Sequence, residues 1–272
     1  MTYLSVQATS IQSITRTLTW ALRAHLDAVA EKAVEVLFPG GAPPGVDMRA
    51  VCLGFVETLQ RSADDVAQRD RNVARKRIAD EEARERRDQA VGDLRAAVFV
   101  IRDAVSSVFG AGALRAAGLN GRIPDQAEPL LTYARNAAEK LPALAAKPRT
   151  KGFVQLDLAA AAAELHGLAD VVSAALADVA RNTRETQMAQ SLRNHAVERW
   201  RLHYSMSASL FEGLLRLAGF DHVADRVRPT RRRRAGETEP EDSQETQPPA
   251  GDAPADDGGP TPGSPAPSDP AE

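Results

Sequence analysis

Two long stretches without helix breakers constrain the fold of this chain more than any other feature of its sequence. Residues 48–109 and residues 158–218 contain no proline and only isolated glycines. Because proline and paired glycines are the residues that end helices, each stretch predicts a single helix, with Asp47 and Asp157 placed as N-caps. At 1.5 Å per residue, the 62 residues of the first stretch would extend roughly 93 Å. That is the length of a rod and not of an element in a globular core.

Two shorter helices are predicted beside the long ones. The first covers residues 4–37, where apolar residues recur at steps of three and four, and the Pro- and Gly-rich segment 38–45 ends it. The second begins at Asp125, which has capping-box spacing to Glu128, and we expect Pro142 to kink it near its end. Only 4% of the residues are aromatic, while helix-forming Ala, Arg, Leu and Glu are abundant. The sequence therefore predicts an all-α fold.

The long helices are predicted to pair antiparallel in an elongated helical bundle or coiled coil. One shorter helix would pack at each end, which gives a three-helix pole at either end and a two-helix waist between the poles. Steps of three and four place core positions of the long helices at residues that include Cys52, Val56, Leu59, Arg84, Val91, Trp200 and Tyr204. The core positions are apolar toward both ends of the long helices, but they are polar in the waist, at residues 70–87 and 182–194. A two-helix section has no third helix to bury apolar side chains, so a polar waist fits this arrangement.

A weak internal duplication is a further prediction. The two long helices have matched lengths and N-capping aspartates, and each is followed by a stop glycine, Gly110 or Gly219. The two halves would be residues 1–124 and 125–228, which together form one elongated domain. A disordered tail at residues 229–272, first basic and then acidic and Pro-rich, would follow them.

Charge is concentrated at the C-terminal end, although the formal net charge is only −3. Residues 235–272 contain ten acidic residues, nine prolines and no Lys or Arg. Such a segment cannot bury enough apolar surface to offset its ordering entropy, so we predict that it is disordered. Six arginines stand just before it, and they are Arg226, Arg228, Arg231, Arg232, Arg233 and Arg234.

Three interpretations of this arginine cluster stay open. It is a solubilising end of the last helix or an intramolecular partner for the acidic tail, a contact for nucleic acid or another polyanion, or a docking site for an acidic protein. The tail would compete with any polyanion, which weakens the second interpretation.

The sequence offers no set of residues for catalysis, cofactor binding or metal ligation. The single Cys52 excludes a disulfide framework and a Cys-based metal site. His195 and Glu198 have the spacing of helical metal ligands, but no second such pair faces them. We therefore predict that the protein is not an enzyme and holds no metal or cofactor.

The preferred function is a non-enzymatic helical scaffold or assembly protein that binds a protein partner, including itself. The alternative is an accessory protein that binds nucleic acid or another polyanion through residues 226–234. An elongated pore-former or injected effector ranks last, because charges interrupt the apolar segments 96–109 and 158–177. No 18-residue apolar run predicts a membrane span, and no secretory signal is apparent. We expect a cytoplasmic protein, and its bias toward Arg and Ala is typical of a GC-rich bacterial genome.

Overall fold

The computed structural model describes residues 4–146 and 156–239, and within these ranges the chain forms helices and no strand. The all-α prediction is confirmed. The α-helices of the described chain are α1 Val6–Ala24, α2 Leu26–Leu37, α3 Met48–Phe109, α4 Ala111–Ala116, α5 Ala127–Lys140, α6 Leu158–Leu217, α7 Asp221–Val227 and α8 Arg231–Ala235, and a 3₁₀ helix covers Leu141–Ala146.

The two long helices begin where the sequence predicts, and they end within one residue of the predicted ends. α3 has 62 residues and α6 has 60. The Asp47 carboxylate accepts a hydrogen bond from Ala50 N, and the Asp157 carboxylate accepts bonds from the amides of Ala159 and Ala160. These bonds satisfy amides that have no partner within the first turn of a helix.

The predicted N-terminal helix is wrong in one respect, because it is two helices that meet at His25. The His25 backbone leaves the helical region, with φ −120° and ψ 14°. Its ring lies 4.2 Å from the ring of Phe220, measured between centroids. The break therefore coincides with a contact to a residue 195 positions later in the chain, and the local spacing of apolar residues carries no sign of it.

The start and the end of the second short helix also differ from the prediction. Gln126 is the N-cap of α5 and makes no side-chain capping bond. The Asp125 carboxylate instead pairs with Arg122 at 2.7 Å. Pro142 does not kink the helix, because α5 ends before it, at Lys140, and Leu141–Ala146 form a 3₁₀ helix. Proline has no N–H to donate to the carbonyl four residues earlier, which explains the end of the α-helix.

The described residues form two separate apolar cores, one at each end of the paired long helices. The terminal pole combines buried residues of 8–66 and 196–227, from α1, α2, the start of α3, the end of α6 and α7. The loop pole combines buried residues of 90–172, from the end of α3, α5 and the start of α6. This is the predicted elongated antiparallel bundle with a shorter element at each end. Both cores draw on residues from both predicted halves, and the duplication itself stays a prediction.

Polar contacts join α3 to α6 in the waist. Lys76 Nζ lies 2.6 Å from Glu185 Oε2, and its ammonium group lowers the pKa of that carboxyl. Thr183 donates a hydrogen bond of 2.9 Å to Asp80. Such solvent-exposed contacts contribute little to stability, because water screens the charges. The waist is therefore held together mainly by the continuity of the two helices into the poles.

One detail of the predicted waist is wrong. The predicted core positions include Arg84 and Val91, but the residues buried in the structure are Ala83 and Ala90. A shift of one residue replaces a long charged side chain with a methyl group at the helix contact. Alanine allows two helices to meet without burying a charge, which would be costly.

The third helix lies on the same side of the long pair at both poles. At the terminal pole Arg23 of α1 reaches Gln60 of α3. At the loop pole Arg95 donates to the Asp125 carbonyl and Arg102 donates to the Gly121 carbonyl, both in the segment that leads into α5. Gln60, Arg95 and Arg102 are separated by multiples of seven residues, so they share one position in a supercoiled helix. The opposite face of α3 and α6, which we call the bare face, carries no third helix in the described part of the chain.

Candidate functional site

The structure orders the segment that holds the six arginines. Arg226 lies on α7, Arg228 follows that helix, and the remaining four lie on α8. The Thr230 hydroxyl caps α8 by accepting a hydrogen bond from Arg233 N at 3.2 Å. The prediction of disorder from residue 229 is therefore wrong for residues 229–239, and residues 240–272 lie outside the described residues.

Arg233 differs from the other five arginines because it is buried. Its guanidinium donates to the backbone carbonyl of Arg226 and, at 3.4 Å, to that of Arg228. The other five arginine residues are exposed. Arg232 Nε lies 3.8 Å from a Glu237 carboxylate oxygen and 4.0 Å from a Glu239 oxygen. The first acidic residues of the tail thus face the arginine cluster, which is expected if the cluster pairs with the acidic tail of the same chain.

The C-terminal segment closes over the terminal pole. The Ala235 carbonyl accepts hydrogen bonds from Gln7 at 3.5 Å and from Arg201 at 3.4 Å. Gly236 follows in the left-handed conformation, with φ +80°, and it is buried close to Ile11 and Trp200. A Cβ atom at this position would lie 3.1 Å from Ile11 Cγ1, so only glycine fits both the conformation and the space.

We expect Gly236→Ala to lower the free energy of unfolding by about 2 kcal/mol, because the left-handed conformation costs an L-residue about 1–2 kcal/mol and Ile11 must also move. Gly45→Ala is the matched control. Gly45 has φ +89° and no atom within 4 Å of an added Cβ, so this change carries the conformational cost alone. Urea denaturation of both variants measures the difference, and equal losses would show that the contact with Ile11 contributes nothing.

An apolar groove lies between α3 and α6 on the bare face of the terminal pole. Its cavity has a volume of about 460 Å³. Three aliphatic side chains on its rim are exposed, with fractions of 45% for Val51, 59% for Leu202 and 53% for Met206. Behind the groove the Phe55 ring meets the Phe211 ring edge-on, at 6.4 Å and 82°. The lining residues are Val51, Gly54, Phe55, Thr58, Leu202, His203, Met206 and Ser207.

The groove becomes polar toward the waist. Asp65 binds Arg69 of its own helix at 2.9 Å and Arg199 of α6 at 2.7 Å. His203 lies where the apolar and polar parts meet, and its Nδ1 atom is buried with no hydrogen-bond partner in the described structure. The groove therefore offers apolar contacts, one polar atom and, at its edge, an ion-pair network in which one carboxylate pairs with two arginines.

Two findings bear on chemistry elsewhere in the protein. No group of three or more His, Cys, Asp or Glu side chains in residues 4–146 and 156–239 is arranged to hold a metal ion. Cys52 is buried in the terminal pole, and burial raises the pKa of its thiol. The thiol is therefore poorly suited to react as a thiolate.

α6 contains an apolar window that is long enough to cross a membrane by length and composition, and 33% of that window is buried. Core helices of soluble proteins pass the same test. The prediction of no membrane span therefore stays a prediction.

No protein-family model matches this sequence, and no curated protein or solved structure is significantly similar to it.

Sequence reasoning missed the bare face and its groove. The signal was present, because Val51, Phe55 and Thr58 each stand one residue before a predicted core position of α3. On α6, Leu202 and Met206 each stand two residues after one. Spacing places these residues on a flank of each helix, but it does not say on which flank the third helix packs. That choice depends on tertiary contacts.

Proposed function

We propose that this protein is a non-enzymatic helical assembly protein that associates through the bare face of α3 and α6. The apolar groove with its exposed aliphatic rim is the observation that carries this proposal. Exposed apolar side chains that cluster around a groove are typical of protein-binding surfaces, and a groove between two helices is suited to a helical partner.

The architecture supports a role in assembly. The bare face extends along a helix pair that joins the two poles, and the third helices leave this side open at both poles. The same proposal includes a cytoplasmic location for the protein and no catalytic activity.

Filling the groove should abolish association without unfolding the protein. In Gly54→Leu the new side chain enters the groove from α3, where no atom lies within 4 Å of an added Cβ. We expect its unfolding free energy to be unchanged or higher, because glycine inside a helix is less favourable than alanine by about 1 kcal/mol. Gly92→Leu is the matched control, since Gly92 is also an exposed interior residue of α3 with no atom near an added Cβ.

The measurement is affinity capture of the full chain after mild cross-linking in its host. Assemblies captured with the wild type and Gly92→Leu, but lost with Gly54→Leu, would support the proposal. Equal capture by both variants, with both folded, would remove the groove as the binding surface.

The alternative function, binding of nucleic acid or another polyanion, is favoured by one observation. Arg228, Arg231 and Arg234 are exposed at the C-terminal end of the terminal pole. Arg232 faces Glu237 and Glu239, and Arg233 is buried, so fewer than six arginines face solvent freely. Failure of the intact chain to bind DNA, RNA or heparin at low salt would dispose of this alternative.

A further inference from the structure

α6 carries a stripe of six residues along the bare face. Successive members are separated by four, three, four, three and four residues, which places them on one side of a helix. The last three, Arg199, Leu202 and Met206, line the bare face beside α3. The α6 stripe consists of Met188, Leu192, His195, Arg199, Leu202 and Met206.

The apolar members of the α6 stripe are exposed. The exposed fractions are 67% for Met188, 43% for Leu192, 59% for Leu202 and 53% for Met206. Four large apolar side chains on one face of one helix, all facing solvent, form a seam of the kind that coiled coils bury. The stripe extends about 27 Å along the helix.

The α6 stripe is palindromic in its spacing and nearly so in its residues. Met188 and Met206 lie nine residues to either side of Val197, Leu192 and Leu202 lie five residues to either side, and His195 and Arg199 lie two to either side. In an antiparallel pair of α6 helices centred there, Met188 would meet Met206 of the second copy and Leu192 would meet Leu202 of the second copy. A palindromic seam is what a two-fold antiparallel pair requires.

We propose that the bare face binds a second copy of this chain, with the two α6 stripes packed antiparallel about a two-fold axis near Val197. The inference rests on the proposed function, because it takes the same face as the site of association and names its occupant. The interface is isologous, so a single surface is sufficient for both subunits.

The charges at the centre of the stripe favour the antiparallel orientation. A parallel pair would set Arg199 directly against Arg199 of the second copy. The antiparallel pair sets Arg199 against His195 of the second copy and keeps the Arg199 charge beside Asp65, at 2.7 Å. Like charges in direct opposition are therefore avoided.

Cysteine cross-linking tests the orientation in the full chain. Oxidation of the double variant Met188→Cys with Met206→Cys should give a covalent dimer, because the two positions face each other across the axis. Each single variant should stay largely monomeric on a denaturing gel. Cys52 is buried and gives little background. Cross-linking of Met188→Cys alone at the rate of the double variant would show a parallel pair and overturn the proposal.

Leu192→Glu tests the surface independently of the cysteines and lies outside the groove-lining residues. We expect this change to weaken self-association by at least about tenfold, as a charge at the centre of an interface does. Val171→Glu is the matched control on the same helix. Val171 is 55% exposed, but it lies 26 residues before Val197, and the α6 helix of the second copy extends only 20 residues past the axis, to Leu217. Sedimentation equilibrium measures both, and circular dichroism checks that both variants fold.

Two results would overturn the proposal. One is a wild-type chain that stays monomeric up to about 0.5 mM, where even a weak association with a millimolar dissociation constant would show. The other is an equal dissociation constant for Leu192→Glu and Val171→Glu. The proposed function would survive either result if Gly54→Leu still lost assemblies that Gly92→Leu retains. That outcome would mean that a different protein, and not a second copy of this chain, occupies the groove.

Discussion

Replacing Trp200 with alanine should lower the free energy of unfolding by about 3–5 kcal/mol, the range for removing a large buried aromatic side chain. Trp200 is fully buried in the terminal pole, where its ring stacks on Tyr204 with 5.2 Å between centroids. Its Nε1 donates a hydrogen bond of 3.0 Å to the hydroxyl of Thr15. The alanine variant loses the packing and leaves that buried hydroxyl without its donor.

The second tryptophan supplies a matched control. Trp20 is 68% exposed on α1 of the same pole, so Trp20→Ala should change stability by no more than about 0.5 kcal/mol. Chemical denaturation followed by far-ultraviolet circular dichroism compares the two variants without relying on tryptophan fluorescence. A loss at Trp200 no larger than the loss at Trp20 would contradict the packing described for this pole.

Replacing Asp70 with alanine should cost about 3 kcal/mol, because it removes one partner from a nearly buried ion pair. Arg193 Nε lies 3.2 Å from Asp70 Oδ1, and the two side chains are only 14% and 9% exposed. Asp70 also accepts hydrogen bonds from the Ser5 amide at 2.7 Å and from its hydroxyl at 2.8 Å. A single carboxylate therefore fixes the start of α1 to both long helices at the edge of the waist.

Asp64→Ala on the exposed side of α3 is the control, with an expected change of no more than about 0.5 kcal/mol. Arg193→Ala and the double variant complete a thermodynamic cycle. We expect the double variant to be less destabilised than the sum of the single variants, because residues in one ion pair are coupled by about 0.5–3 kcal/mol. Additive losses would show that Asp70 and Arg193 act separately.

The fold was largely predictable because helix breakers and periodicity are local signals. The limits of α3 follow from Asp47 and from Gly110, which has φ +81° just after the last helical residue. The break at His25 was not predictable, since it coincides with a ring contact to Phe220, which is distant in sequence. Ala83 in the waist shows a similar limit. Spacing alone indicated Arg84 as the core residue, but burying its charge would be costly, and the residue buried between the long helices is Ala83 instead.

The candidate site was less predictable than the fold. The six arginines were found as a cluster, but burial of Arg233 requires the carbonyls of Arg226 and Arg228 to converge on it. The groove beside Gly54 depends on which flank of α3 the third helix covers, and one sequence does not encode that choice in any short pattern.

The placement of the two cores along the chain has a consequence for how the protein forms during synthesis. The core of the loop pole lies within one continuous stretch, residues 90–172, so its contacts close short loops and can form while the rest of the chain is still being made. The core of the terminal pole needs residues 8–66 together with residues 196–227. Helix α1 must therefore wait until α6 and α7 have been made before its apolar face is fully covered, and that interval is when a newly made chain is most exposed to aggregation or to a chaperone.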